Sequence, residues 1–360
     1  MLRVLLPCLA FVLAACQQST PPMTPQETIY MDALTQTLTP RCVGRFLIDL
    51  PSSMAPVPGS GIEVEDVTIS IVPISQPRFE LALENRKTEL RDELMPPNNY
   101  PWLHKTYALP GTDEGIVFDR AKSSAGSDRF SRTIELWAWR DGYQIHAEVS
   151  ARDTSFPEDQ GDQYVAKQKT TTPEKLAHLL EVYSRTRGRA DTNIPTEPGI
   201  CFAHGFVAGK AGKKEKMGIL YVLKNVPDVS LGFEYDALFQ EDTSLLDRGK
   251  EINAMLKSSN GRSLRKGKNK TGGVSAEEWL MTGNTDSDVM GHMFTLESSN
   301  KTGNETTPFF VIDMKNGNFW EDDNLDNPRP KLTKATLSDA QAIAFWDRVT
   351  STLRLRSNAF

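Results

Sequence analysis

The sequence holds few of the residues that build the commonest catalytic and metal centres. Its 360 residues include five histidines and four cysteines. It has no G-x-S-x-G turn, no H-E-x-x-H pair, no phosphate-binding G-x-x-x-x-G-K-[ST] loop and no C-x-x-C pair. Each of these short motifs carries a defined chemistry, from a nucleophilic serine to a zinc site. With no local signal for any of them, we expect a protein that is not an enzyme and that needs no cofactor or metal.

The apolar run near the start, Leu5 to Leu13, is too short for a membrane-spanning helix, which needs about 20 residues. It follows Arg3 and ends in LAAC at residues 13–16, the pattern of an exported lipoprotein signal. We therefore predict a signal peptide at residues 1–15 and lipid on Cys16, which becomes the first residue of a periplasmic protein anchored to the membrane. The alternative is a buried N-terminal helix, which would not need two small residues and a cysteine before a polar segment.

Residues 16–40 are polar and contain several prolines, so we expect a tether between the lipid and the folded body. Within it, TPQE at 24–27 is a capping box with proline at the first helical position, which predicts a short helix. Gln17 stands after the lipid-bearing cysteine, where aspartate would be the familiar signal for retention at the inner membrane. This favours the outer membrane.

The formal charge of the chain is −6, and removal of the signal, which holds Arg3 and no acid, makes it −7. An acidic protein repels the phosphates of nucleic acid and can attract a basic protein partner. After export and lipidation, two cysteines remain, Cys42 and Cys201, in a compartment that permits oxidation. They either form a disulfide or stay as two buried thiols.

Hydrophobic patterning predicts two similar α+β domains, each an antiparallel sheet packed with helices, at residues 41–190 and 199–360. In each half, strands lead to a helix, then to further antiparallel strands, then to a final helix. Asp141-Gly142 between two alternating segments indicates a tight hairpin turn. A segment with Pro195 and Pro198 reads as the linker between the domains.

Two further patterns have both a functional and a structural interpretation. His146 and Glu148 share one strand face, so they could bind a metal or move a proton, or simply satisfy one another. Lys266, Lys268 and Lys270 alternate beside two arginines. They could meet lipid headgroups or an acidic partner, or protect an exposed edge strand.

One acidic loop precedes the final helix of each predicted domain. The two loops hold six carboxylates that we name as candidate partner-binding residues: Glu158, Asp159 and Asp162 in the first loop, and Glu321, Asp322 and Asp323 in the second. Because they occupy matching places in the two repeats, they could form two tips that hold a basic partner. The alternative is a pair of exposed loops.

The openings of the two halves resemble one known family. The segments are CVGRFLIDLP at 42–51 and, in the second half, GICF at 199–202 followed by GFV at 205–207. SLRKGK at 263–268, EEWL at 277–280, FWDR at 345–348 and LRLR at 353–356 add to the likeness. Together they are similar to the immunity proteins of type VI secretion phospholipase effectors of the fourth class.

This resemblance implies a two-domain periplasmic protein that binds a toxic phospholipase delivered by a neighbouring cell and blocks it by occlusion. The resemblance does not identify the residues that contact the phospholipase, because none of the motifs above contains them. Two other functions stay open at this point. One is an envelope-assembly or structural lipoprotein, and the other is a lipoprotein hydrolase, against which the missing serine turn counts.

Overall fold

A computed structural model describes residues 22–57, 59–95, 99–111, 114–123, 129–156, 161–319 and 331–360. In this part of the chain, antiparallel sheets are packed with five α-helices, which confirms the α+β class. The helices are α1 (Pro25–Leu34), α2 (Gln76–Asp92), α3 (Thr172–Ser184), α4 (Gly249–Ser258) and α5 (Asp339–Thr350). Among the described helices, none combines the length and apolar character needed to cross a membrane.

The strands of the first half lie before α2 and between α2 and α3. They are β1 (Leu38–Val43), β2 (Phe46–Pro51), β3 (Met54–Pro56), β4 (Ile62–Val64), β5 (Val67–Pro73), β6 (Leu94–Met95), β7 (Tyr100–Pro101), β8 (Leu103–Ala108), β9 (Glu114–Ala121), β10 (Ser131–Arg140) and β11 (Tyr143–Arg152). A short 3-10 helix at Val165–Lys167 comes before α3. Asp141 and Gly142 both have positive φ between β10 and β11, which confirms the predicted hairpin turn.

The strands of the second half follow α3. They are β12 (Thr186–Gly188), β13 (Gly199–Phe202), β14 (Gly205–Ala208), β15 (Glu215–Leu223), β16 (Val226–Asp236), β17 (Arg262–Thr271), β18 (Val274–Asn284), β19 (Met290–Ser298), β20 (Phe309–Asn316) and β21 (Arg354–Leu355). Helix α4 begins at Gly249, and in the turn before it the Ser244 backbone N–H donates to the Asp247 carboxylate at 3.0 Å.

One sheet runs through both halves of the molecule. Its strand order is β8-β9-β10-β11-β5-β4 in the first half and β17-β18-β19-β20-β16-β15 in the second, so the halves repeat one topology. The two copies meet edge to edge, because β4 pairs antiparallel with β15. This joint confines solvent-exposed edges to the outer strands β8 and β17. Two domains with separate sheets would leave four such edges.

The opening hairpin of each half pairs with a strand that follows the last helix of the other half. Strand β21, after α5, pairs with β2, while β12, after α3, pairs with β14. Between β1 and β2 the chain turns at Gly44, whose φ is +59°. A Cβ atom there would lie 2.8 Å from the Tyr235 ring, so only glycine fits this turn.

Helix α1 is held against α5 rather than hanging in solvent. Its capping box at Thr24 and Glu27 forms as predicted, and the other carboxylate oxygen of Glu27 accepts a hydrogen bond from Ser338 at 2.6 Å. Asp32 pairs with Arg348 at 2.6 Å, and Met31 is buried. The end of the predicted tether nearest the body is therefore part of the folded structure.

A candidate partner-binding face

The joined sheet presents one open face between α2 and α4. Directly opposite residues on neighbouring antiparallel strands point to the same face of a sheet. Pairing between neighbouring strands places six such residues in one row across the joint: Glu135, Glu148, Thr68, Glu63, Lys216 and Asp236. Helix α2 covers the first end of this row, where Arg86 donates to Glu135 at 2.9 and 2.8 Å. The face thus draws residues from both halves.

A cleft of about 730 Å³ lies on this face at the joint. Residues 61–63 and Thr68 of its lining come from the first half. Strands β15, β16, β18, β19 and β20, helix α4 and the segment between β16 and α4 supply the rest. The charged side chains in the lining are Glu63, Glu234, Asp236, Glu297 and Asp313, against Lys216 and Arg248. Five acids against two bases make the cleft negative, so it favours a basic partner surface.

Two of these carboxyl groups are held in an unusual environment. Burial raises the pKa of Asp313, although the Thr295 hydroxyl donates to it at 2.5 Å. Burial also raises the pKa of Glu297, although Arg248 forms an ion pair with it. Buried carboxylates without a full set of donors are costly to keep charged. A cation brought by a partner would therefore interact strongly with this wall of the cleft.

The opposite face of the sheet is closed by α3 and α5. Trp346 of α5 is fully buried, and its indole N–H donates to Glu278 at 3.1 Å. Glu278 follows Glu277, which pairs with Glu297 on the open face, so the two neighbours point to opposite sides. The anchored helix α1 also belongs to this closed side, through its contacts with α5.

A disulfide and a buried ion pair hold the two halves in one arrangement. Cys42 and Cys201 are bonded, with Cα atoms 5.7 Å apart, and they lie in the equivalent opening hairpins of the two repeats. Beside them, Arg45 forms a fully buried ion pair with Glu215 at 2.6 Å. Gly44 and Cys201 also exchange two backbone hydrogen bonds. These covalent and polar contacts fix the orientation of the two halves relative to one another, and with it the shape of the open face.

Two buried arginines, one after β12 and one after β21, hold these strands in place by donating hydrogen bonds to backbone carbonyls. Arg189, after β12, donates to the carbonyls of Cys42 and Phe202, and burial lowers its pKa. Arg356, after β21, donates to the carbonyls of Pro195 and Glu197 in the predicted linker, and burial lowers its pKa to about 10. The linker is therefore pinned to the body of the protein.

Family models match nearly all of the described body. The model for the N-terminal domain of Tle cognate immunity protein 4 matches residues 39–189, and the model for its C-terminal domain matches residues 193–358. The chain belongs to the Tle cognate immunity protein 4 family. This confirms the resemblance shown by the opening motifs of the two halves.

Solved structures match the fold of this chain over about nine tenths of its length. One is described as the apo structure of immunity protein TplEi of the type VI secretion system from Pseudomonas aeruginosa. It is 20% identical with a TM-score of 0.65, over 91% of this chain and 100% of that one. The crystal structure of a Tle4-Tli4 complex also matches, at 20% identity and a TM-score of 0.64, over 90% and 99% of the two chains. Among curated proteins, none matches this chain.

Most of the predicted partner-binding carboxylates in this family member lie outside the described residues. These are Glu158, Asp159, Glu321, Asp322 and Asp323, and the predicted lipid site Cys16 lies outside them as well. Asp162 is described. Its carboxylate accepts backbone hydrogen bonds from Tyr164 at 2.7 Å and Val165 at 3.4 Å, and it is not among the residues that line the central cleft.

The structure adds a third residue to the predicted pair of His146 and Glu148. Glu135 lies on the neighbouring strand, and His146 Nε2 is 3.4 Å from Glu135 and 3.3 Å from Glu148. Burial opposes the charge, but the two carboxylates raise the pKa of His146 to about 9. Arg86 and Arg120 already neutralise Glu135. The cluster is therefore a compensated charge network, and its geometry favours the structural interpretation over a metal site.

The lysine-rich strand β17 forms the outer edge of the sheet, as the protective interpretation predicts. Lys266 lies 4.1 Å from the centre of the Trp279 ring, and Lys268 is directly opposite Glu277. Arg262 pairs with Asp339. Contacts within the chain therefore engage part of the positive charge on this strand.

Sequence analysis does not identify the open face itself. Alternation along β15 and β16 marks which residues share a side of each strand. It does not show that β4 becomes the neighbour of β15, because strand pairing across about 150 residues leaves no local signal.

Proposed function

We propose that this chain is a periplasmic lipoprotein that binds a type VI secretion phospholipase effector and neutralises it by occlusion. Family membership supports the immunity function, and a protein of related fold is part of a Tle4-Tli4 complex. The observation that carries the mechanism is the acidic cleft, which both halves build on one joined sheet. The protein acts by binding and performs no chemistry on the effector.

The proposed binding surface is the open face between α2 and α4. A stable protein complex buries at least about 1,200 Å² in total, more than the cleft alone offers, so contacts extend over the neighbouring strands and helices. Because the two halves are fixed by the disulfide and the Arg45–Glu215 pair, the face is formed before the effector arrives. A preformed surface loses less conformational freedom on binding.

The lipid anchor proposed at Cys16 would concentrate the inhibitor where a phospholipase meets its substrate. Since Met23 packs on the core and α1 is held on α5, the segment between Cys16 and Met23 can span at most about 25 Å. That helix belongs to the closed side of the sheet. The open face is then directed away from the membrane, toward an effector in the periplasm.

The test is protection in cells in which the product of the adjacent gene, as the candidate phospholipase effector, is directed to the periplasm. Cells with the full-length protein should grow, and Cys16→Ser should remove it from the membrane fraction and weaken protection. A charge reversal in the cleft, Glu234→Lys, should weaken protection without changing the protein level or its location. If the wild-type protein gives no protection, and purification recovers resident envelope proteins, the envelope-assembly function replaces this one.

A further inference from the structure

The two repeats differ in how their helices cover the open side of the sheet. Helix α2 has 17 residues and buries Phe79, Leu83 and Leu90 in a cluster with Trp102 and Phe118. Helix α4 has 10 residues, and Leu256 is its one buried side chain. The shorter helix leaves apolar surface beside it uncovered in the second half.

Two exposed methionines and one buried methionine border this region. Met255 of α4, Met281 of β18 and Met293 of β19 line both the central cleft and a second recess of about 260 Å³. Met255 is 44% exposed and Met293 is 40% exposed. The two recesses share these three side chains and lie side by side, and together we call them the methionine groove.

The surroundings of the groove select the chemistry of its occupant. Methionine is unbranched and polarizable, so a methionine surface adapts to apolar side chains of different shapes. Glu234 and Asp313 lie at the central cleft, where Arg248 is already paired with Glu297. At the second recess Lys315 balances Asp286, so the excess of acid is at the central cleft. The acids that remain attract lysine or arginine. A second copy of this acidic chain would bring like charge to the same place.

We propose that the methionine groove receives a segment of the effector that carries large apolar side chains next to a lysine or arginine. The apolar side chains fill the space between α4 and the sheet, and the cation faces the carboxylates at its rim. This inference rests on the proposed immunity function and gives that function a specific anchoring site.

Strand β19 offers a matched control for the test. Met293 pairs with Met281 inside the groove, whereas Met290, three residues earlier, lines neither recess. Residues three apart on a strand point to opposite faces. Met290 is 47% exposed, so Met290→Lys introduces the same charge at an equally exposed methionine outside the groove.

The first measurement is the dissociation constant between purified mature protein and the phospholipase encoded beside it. We expect Met293→Lys and Met255→Lys to weaken binding about tenfold or more, as substitutions at an interface anchor do, and Met290→Lys to change it by less than about twofold. Unchanged circular dichroism and thermal unfolding of all three variants ensure that the loss is one of contact.

The second measurement places a photo-crosslinking amino acid at position 255 or at position 290. Position 255 should crosslink to an apolar effector segment containing lysine or arginine, and position 290 should give no such product. If wild-type protein binds the phospholipase but both groove variants bind equally well, the groove proposal is wrong while the immunity function stands. If wild-type protein does not bind the phospholipase, both proposals fall.

Discussion

Glu63 of the first half and Lys216 of the second half are directly opposite residues on paired antiparallel strands. Their strands, β4 and β15, are the inner edges of two sheets with the same strand order. Their pairing turns two repeated domains into one structural unit with an open face that neither repeat has alone. The predictions below follow from this joint and from the face that it creates.

The first prediction concerns the disulfide between Cys42 and Cys201, which spans 159 residues of sequence. Closing so long a loop restricts the unfolded chain, and by this model the bond contributes about 2–5 kcal/mol. Cys42→Ala combined with Cys201→Ala should therefore lower the free energy of unfolding in urea by that amount. Reductant should destabilise the wild-type protein similarly and leave the double variant unchanged. A reductant effect of equal size on the double variant would contradict this account.

The second prediction concerns the buried ion pair between Arg45 and Glu215. Arg45→Met removes the cation and leaves Glu215 buried with an uncompensated charge, so we expect a loss of about 3–5 kcal/mol in the free energy of unfolding. The exposed pair of Arg91 and Asp92 provides the control, and Arg91→Met should change stability little. Equal effects of the two variants would show that Arg45 does not hold the halves together.

The third prediction concerns the pH dependence contributed by Asp313. Its pKa in the folded protein is raised by burial above the ordinary value of 3.8, so the folded state holds this proton more tightly than the unfolded state. Stability from this group is lost as the pH rises from about 3.8 through the folded pKa. Asp313→Asn keeps an oxygen for the Thr295 hydroxyl and removes the charge. The free energy of unfolding of the Asp313→Asn variant, relative to wild type, should increase over that pH range and then level off. A difference that stays constant with pH would show that the pKa of Asp313 is not raised in the folded protein.

The fourth prediction concerns the charge of the cleft. Glu234→Lys changes the cleft charge by two, so we expect slower association with a basic phospholipase and a weaker dependence of the rate on salt. Glu174→Lys makes the same change on α3, which covers the closed side of the sheet. Surface plasmon resonance at several salt concentrations compares the two. Equal slowing by both variants would mean that net charge, and not the cleft, governs association.

Local signals predict the elements of this fold well. The turn at Asp141-Gly142 and the capping box at Thr24 form as predicted, because each depends on a few neighbouring residues. The turn at Gly44 is missed, because its glycine is required by the distant Tyr235 ring and not by a recognisable turn sequence.

The candidate site is less predictable, because it depends on contacts between distant segments. Sequence analysis places His146 and Glu148 on one strand face, but the position of Glu135 depends on the register between β10 and β11. The joint at β4 and β15 lies further still from any local pattern. The composition of the acidic loops makes them stand out in the sequence. The five acids of the cleft are spread over four strands, with two on β16, and give no such signal.

The most direct test of the account is a titration of the phospholipase encoded beside this chain with purified mature protein, using a phospholipid substrate. The account predicts that activity falls linearly with added inhibitor and vanishes at one inhibitor per enzyme, with Glu234→Lys requiring a clear excess. Full phospholipase activity at equimolar and higher amounts of correctly folded, disulfide-bonded protein would contradict the account.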